Sequence, residues 1–104
     1  MNVHYDLTGD SAAIIFEGDV VFDDVAQQSD SVSKMKEAII GKKPKNVVID
    51  LAQVKSFDSS GVGLVYSLRT SFCRIGATVS LQAVPENVKE VLRLGGLLKV
   101  FSIT

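Results

Sequence analysis

The sequence predicts an α/β domain whose mixed β-sheet, an opening antiparallel hairpin followed by parallel βα units, has helices packed on it. Short apolar runs of strand length alternate with longer segments whose apolar residues recur at helical spacing. Glycine or proline follows each predicted helix, where such residues stop helices. A chain of 104 residues has the length of one domain, so we expect a single domain over residues 1–104.

The opening hairpin is predicted from two apolar segments, residues 3–7 and 12–16. The first alternates apolar and polar residues, as a half-buried strand does. Between the segments stands the turn-forming sequence Thr8-Gly9-Asp10-Ser11. We therefore expect two antiparallel strands joined by a tight turn.

Residues 23–40 are predicted to be helical because their apolar residues share one helical face. Those residues are Val25, Val32, Met35 and Ile39. Gly41 and Pro44 end the helix. Residues 27–31 have weak helix propensity, so we expect an irregular helix there.

The remainder alternates strands and helices. Residues 47–51, 77–81 and 97–103 are predicted strands, and the first has the pattern of a strand covered on both faces. Helices are predicted over residues 64–75 and from Pro85 to Gly95. The order β-β-α-β-α-β-α-β gives five strands, with right-handed crossovers between the parallel ones.

The charge balance argues against two classes of partner. Eleven Lys and Arg face 12 Asp and Glu, for a net charge of −1. A nucleic-acid-binding protein usually has a strongly basic surface, and this composition does not indicate one. The same balance argues against electrostatic docking to an anionic membrane. The apolar runs are far shorter than the roughly 20 residues of a membrane span. The N-terminal residues lack a signal-peptide pattern. We expect a cytoplasmic protein without membrane insertion.

Cys73 is the only cysteine, so it cannot form an intramolecular disulfide. It falls within an apolar helical pattern, which predicts a buried, inert thiol. A reducing compartment is the simpler interpretation.

The loop that follows the central strand, residues 55–63, is the candidate functional segment. Loops beyond the carboxyl ends of parallel strands expose functional groups. Asp58, Ser59 and Ser60 are also good N-cap and first-turn residues. A helix cap alone would explain them, so the spacing leaves the function open.

Five segments carry a resemblance over nearly the whole chain. In order they are Val47-Val48-Ile49-Asp50-Leu51, Phe57-Asp58-Ser59-Ser60-Gly61-Val62-Gly63, Ile75-Gly76-Ala77, Val84-Pro85-Glu86-Asn87-Val88 and Leu94-Gly95-Gly96-Leu97. Together they resemble the signature of bacterial anti-sigma-factor antagonists of the STAS family. The single Asp-Ser-Ser-Gly is moderately specific, and the ordered run of matches is strong.

The resemblance implies partner switching without catalysis or a cofactor. It identifies Ser59 as the residue that an anti-sigma-factor serine kinase phosphorylates and a PP2C-type phosphatase restores. The dephospho form binds the kinase, which releases a sigma factor or another client. Asp58 and Ser60 flank this serine, and Gly61 permits close approach by the partner. Val62 lies off the core stripe and is a further candidate partner contact.

One segment departs from the family pattern. After its second strand the family usually has Gly-Glu-Leu-Asp or Gly-Glu-Ile-Asp, whose last acid contacts the kinase. This chain has Gly18-Asp19-Val20-Val21, so Val21 stands in place of that acid. Asp19 and Asp23 lie on either side and are kept as candidate partner-binding residues.

An enzyme is the first competing interpretation. Ser59 or Ser60 would need a general base, and the only histidine, His4, lies in the predicted first strand. There is no G-x-S-x-G elbow and no His or Cys cluster for zinc.

Nucleotide binding is the second. Gly61-Val62-Gly63 resembles part of a phosphate loop, but no G-x-x-x-x-G-K-[ST] sequence is present. We interpret Gly63 as a site of close helix packing instead.

A third alternative keeps the fold and changes the role. Related STAS domains serve as accessory subunits of lipid-transport ABC complexes, as cytoplasmic modules of anion transporters, or in other non-sigma regulatory assemblies. Without a transmembrane pattern in this sequence, we do not expect the anion-transporter role. The intact Asp-Ser-Ser-Gly favours the antagonist, and the lipid-transport role stays open.

Overall fold

The five strands form one sheet in which they follow one another in sequence order. The computed structural model describes residues 1–103. The strands are β1 (Asn2–Thr8), β2 (Ser11–Val20), β3 (Asn46–Phe57), β4 (Thr78–Gln82) and β5 (Ser102–Ile103). The helices are α1 (Phe22–Gln27), α2 (Ser29–Gly41), α3 (Ser59–Arg74) and α4 (Glu86–Leu94). The predicted mixed α/β architecture is confirmed.

The opening hairpin is antiparallel, and all later strand pairs are parallel. Thr8 pairs with Ser11 across a two-residue turn. Gly9 occupies the first central position with φ +58, a conformation that glycine adopts without a steric penalty. The tight turn predicted from the sequence is therefore confirmed.

The helices cover one face of the sheet. One layer of helices is the arrangement that right-handed crossovers between strands in sequence order would produce. In β3, Val47, Ile49 and Leu51 are buried, whereas Val48 and Asp50, on the opposite face, are only half-buried. The prediction that this strand is covered on both faces was wrong, because one layer of helices leaves the second face to solvent.

The core lies between that covered face and the apolar stripes of the helices. The strands contribute Ala12, Ile14, Phe16, Val47, Ile49, Leu51, Val79 and Leu81. The helices contribute Val32, Met35 and Ile39 from α2, Val65, Leu68 and Phe72 from α3, and Val88 and Leu92 from α4. These spacings of three and four residues are the periodicity that predicted the helices.

Several element boundaries differ from the predictions. The loop expected over residues 55–63 is reduced to Asp58, because β3 continues to Phe57 and α3 begins at Ser59. The helix expected over residues 23–40 is divided at Gln28 into α1 and α2, within the stretch of weak propensity. The last strand contains only Ser102–Ile103. Before it, the N–H groups of Val100 and Phe101 both donate to the carbonyl of Leu97, so this segment forms a turn.

Two side-chain predictions also fail. Cys73 is exposed, because it is next to the buried Phe72 on α3 and faces away from the core stripe. At Gly63, a Cβ atom would have no neighbour within 4 Å, so close helix packing does not explain this glycine.

Helix α4 lies across the carboxyl end of β3. Strand β4 pairs only as far as Asp50, whereas β3 continues to Phe57. The side chain of Asn87 donates to the carbonyl oxygen of Lys55 at 3.0 Å, which holds the start of α4 against that extension. Within residues 1–103, none of the helices combines the length and apolarity needed to cross a membrane.

Candidate partner-binding site around Ser59

Asp58 marks the corner where β3 becomes α3. Its backbone is extended, and its side chain caps the helix: Oδ1 accepts the N–H groups of Ser60 at 2.9 Å and Gly61 at 3.4 Å. An N-cap carboxylate satisfies donors that the first turn leaves unpaired, and its charge suits the positive end of the helix dipole. The capping role predicted for this residue is present.

The same carboxylate also serves α1. Its Oδ2 atom accepts the N–H of Phe22, the first residue of that helix, at 3.1 Å. The N-cap residue of α1 is Val21, whose side chain has no acceptor. Asp58 therefore provides the hydrogen-bond acceptor that the side chain of Val21 lacks. It also fixes the starts of α1 and α3 relative to each other.

Gly61 is buried against the ring of Phe57 in the same domain. A Cβ atom built on it would lie 2.6 Å from Cε1 of Phe57, inside the ring's van der Waals surface. The close approach that this glycine permits in the structure is to Phe57, which lies 8% exposed at the end of β3. Contact between Gly61 and a partner stays a prediction.

Ser59 is the first residue of α3 and is exposed, whereas Ser60 is half-buried. Asp58 already accepts the N–H groups of Ser60 and Gly61. The first turn is therefore fixed by the cap, independently of the Ser59 side chain. This arrangement presents Ser59 to solvent at a capped helix start.

Val62 is half-buried at the junction of α3 and α4. Its Cγ1 atom lies 3.2 Å from where a Cβ of Gly95 would be. Leu94, next to that glycine, is 72% exposed. The structure thus places Val62 beside the end of α4. It is close in sequence and in space to residues 58–60, which we call the serine corner.

The acidic candidates reach the same edge of the sheet from β2 and α1. Asp19, near the end of β2, is exposed and pairs with Ser56 of β3. Asp23 is exposed in the first turn of α1, the helix that Asp58 contacts. The structure therefore brings both acids to the carboxyl ends of the strands, the end of the sheet where Ser59 lies.

The sequence model of the STAS domain matches residues 18–104, which include the whole serine corner. The chain belongs to the STAS domain family.

Solved structures share this fold at low sequence identity. The anti-sigma factor antagonist SpoIIAA in its unphosphorylated form has a TM-score of 0.79 and 19% identity, and the match covers 99% of this chain and 88% of that chain. Bacillus SpoIIAA in the phosphorylated form has a TM-score of 0.69 and 18% identity, with 99% and 91% covered. The STAS domain of a SulP transporter from Vibrio cholerae has a TM-score of 0.73 and 18% identity, with 93% and 72% covered.

Sequence reasoning missed Phe22 in this STAS domain. Its side chain is 67% exposed at the start of α1, while its N–H is held by Asp58. Large exposed aromatic residues beside a fixed backbone are typical of interface anchors. The available signal was an aromatic residue between Val21 and two acids, outside the apolar stripe of the predicted helix.

The cations on α4 are engaged within their own helix. Lys89 lies 3.8 Å from Glu86, and Nε of Arg93 donates to Glu90 at 3.1 Å. The hydrogen bond from Arg93 lowers the pKa of Glu90. These groups form solvent-exposed pairs.

His4 hydrogen-bonds Glu17 of β2. In the hairpin register His4 is opposite Ile15, which places it on the sheet face that the helices leave uncovered. In this STAS domain the histidine is thus occupied on a different face from the serine corner.

Proposed function

We propose that this STAS domain is an anti-sigma-factor antagonist that acts by partner switching and has no catalytic activity of its own. Its dephospho form binds an anti-sigma-factor serine kinase, phosphorylation of Ser59 ends that binding, and a PP2C-type phosphatase restores it. Supporting this, one protein of the same fold is an anti-sigma factor antagonist, and it has both unphosphorylated and phosphorylated forms.

The single observation that carries the proposal is the exposed position of Ser59 at the first residue of α3. A kinase must bring the hydroxyl into line with the γ-phosphate, which a buried serine would prevent. The Asp58 cap holds the helix start through the N–H groups of Ser60 and Gly61 and does not use the Ser59 side chain. We therefore expect the backbone to stay in place when Ser59 is modified.

The cap also decides where a phosphate would go. The N–H groups of Ser60 and Gly61, which could otherwise bind an anion at the helix start, already donate to Asp58. A phosphate on Ser59 would remain at the surface and add about −1.5 to −2 charges beside that carboxylate.

The switch therefore acts at the interface. A partner that packs against the neutral hydroxyl would have to bury the phosphate next to a like charge. An uncompensated buried charge costs roughly 3–5 kcal/mol, and because each 1.4 kcal/mol is a factor of ten, binding weakens by about 10²- to 10³-fold.

The surface around Ser59 indicates the chemistry of the partner. Phe22 supplies an exposed aromatic anchor, and Val62 with the neighbouring Leu94 supplies aliphatic surface. Asp19 and Asp23 are exposed at the same edge. A complementary surface has an apolar pocket with basic residues at its rim.

The test is phosphorylation by an anti-sigma-factor serine kinase that binds the protein. The protein is incubated with this kinase and ATP, and the tryptic peptide of residues 56–69 is mapped by mass spectrometry. We expect one phosphate on Ser59, none with Ser59→Ala, and normal modification of the matched variant Ser60→Ala. An unmodified peptide, or phosphate on Ser56 or Ser60, would contradict the proposal.

A further inference from the structure

Among residues 1–103, strand β1 is an exposed edge of the sheet. It is the first strand in the sheet order, and all its residues except Val3 are exposed. Native edge strands are usually protected by charged side chains, above all lysine, by proline, by a β-bulge or by a covering segment. The sequence of β1, NVHYDLT, contains neither lysine nor proline and has Asp6 as its one acid, and its pairing with β2 runs through seven residue pairs without a register shift.

The hairpin register shows which backbone groups are free at that edge. In a two-residue hairpin the closing pair, here Thr8 and Ser11, is hydrogen-bonded, and hydrogen-bonded pairs then alternate along the strands. Residues 2, 4, 6 and 8 therefore direct their N–H and C=O groups toward β2. Val3, Tyr5 and Leu7 direct theirs outward.

Only some registers between β1 and a second β1 strand place residues of the same sheet face opposite each other. An antiparallel partner must place these three outward-directed residues opposite one another. With Tyr5 opposite the partner's Tyr5, Val3 lies opposite the partner's Leu7 and His4 lies opposite the partner's Asp6. A shift by two residues either way places His4 opposite the partner's His4, or Asp6 opposite the partner's Asp6.

Charge and burial therefore select the first register. An imidazolium donates from both ring nitrogens, so His4 can hold Glu17 through Nε2 and the partner's Asp6 through Nδ1. The shifted registers instead oppose two carboxylates, which repel across a strand pair, or two imidazoles, which gain no such pair. On the opposite face, Tyr5 is 40% exposed and Leu7 is 38% exposed although both belong to the core side of the sheet. Pairing would cover this apolar surface, which α2 leaves partly open.

We propose that the chain forms a two-fold symmetric homodimer in which β1 pairs antiparallel with β1 of a second copy, with the axis at Tyr5. The two sheets then form one continuous sheet of ten strands. Ser59 and the proposed kinase surface lie at the carboxyl ends of β2 and β3. The β1 contact between the two copies is therefore separate from that surface.

The first test is molecular mass against protein concentration by sedimentation velocity. The wild-type chain should approach twice its monomer mass as concentration rises. Tyr5→Lys places two ammonium groups on the axis and should remain monomeric. Tyr66→Lys changes a tyrosine that is 48% exposed on α3 and should dimerise like the wild type. A monomeric wild type, or a dimeric Tyr5→Lys chain, would overturn the proposal.

A charge exchange tests the register. His4→Asp removes two symmetric His–Asp pairs, and since one cross-strand pair changes affinity by roughly 1.4- to 5-fold, dimerisation should weaken by about 2- to 30-fold or more. The double variant His4→Asp/Asp6→His restores opposite partners and should recover the affinity. Both variants place an aspartate at position 4, beside Glu17, so the repulsion between these two acids cancels in the comparison. A double variant no tighter than the single one would rule out this register.

Amide hydrogen exchange tests the pairing independently of side chains. The N–H groups of Val3, Tyr5 and Leu7 should gain protection with concentration, whereas those of His4 and Asp6 should not change. Concentration-independent protection at all five positions would contradict the edge pairing.

Discussion

The carboxylate of Asp58 accepts the backbone N–H of Phe22 at 3.1 Å across 36 residues of sequence. The same side chain caps α3 through its other oxygen. One residue thus fixes the start of the helix that carries Ser59 and the start of the helix that carries the exposed aromatic ring. The proposed interface is therefore prearranged before any partner binds, which reduces the ordering cost of binding.

Replacing Asp58 separates its two roles. Asp58→Ala removes both, and we expect unfolding to become easier by about 1–3 kcal/mol. Asp58→Asn keeps an oxygen for the α3 cap but offers an amide nitrogen, which cannot accept, to Phe22. Its cost should be about 0.5–1 kcal/mol, measured by urea unfolding.

The control is Asp30→Asn, which changes an exposed acid in the first turn of α2. Its effect should stay within about 0.5 kcal/mol. An Asp58→Asn protein as stable as the wild type would show that the bond to Phe22 contributes nothing.

Two glycines of α3 should respond to alanine with opposite signs. Gly61→Ala forces a Cβ against the ring of Phe57 at 2.6 Å and should destabilise the fold by about 1–3 kcal/mol. Gly63→Ala meets nothing within 4 Å and should stabilise it by roughly 0.5–1 kcal/mol, because alanine loses less backbone entropy in a helix. Thermal unfolding of both variants measures this. Equal effects would contradict the packing described for Gly61.

Phe22 should matter for binding and little for folding. Phe22→Ala removes a side chain that is 67% exposed, so stability should change by no more than about 0.5 kcal/mol. Loss of an aromatic anchor costs an interface about 2 kcal/mol or more, so kinase affinity measured by calorimetry should fall more than tenfold.

Ile75→Ala is the matched control. It changes an exposed apolar residue beyond the other end of α3, which at 16 residues is about 24 Å long. Kinase affinity should be unchanged. Equal losses in the two variants would argue against a specific contact at Phe22.

The elements with strong local signals were predictable from sequence. The sequence Gly9-Asp10 favours a two-residue hairpin turn. The helical spacing of apolar residues predicts the buried faces of α2 and α3. The capping role of Asp58 on α3 follows from its position before a helix. These features depend on neighbours within a few residues along the chain.

The remainder depended on tertiary contacts. The bond from Asp58 to Phe22 joins residues far apart in sequence. The exposure of Cys73 follows from its rotation by one residue from the stripe, and the half-exposed face of β3 follows from the order of the strands. Gly61 and Gly63 are identical in sequence terms, and only the position of the Phe57 ring distinguishes them.

The most direct measurement is the dissociation constant of the serine kinase for two forms of this protein, with serine or phosphoserine at position 59. We predict that phosphoserine weakens binding by about 10²- to 10³-fold, with the same circular dichroism spectrum and melting temperature. Equal affinity of the two forms, or a loss of affinity that accompanies unfolding of the domain, would contradict a switch that acts through surface charge alone.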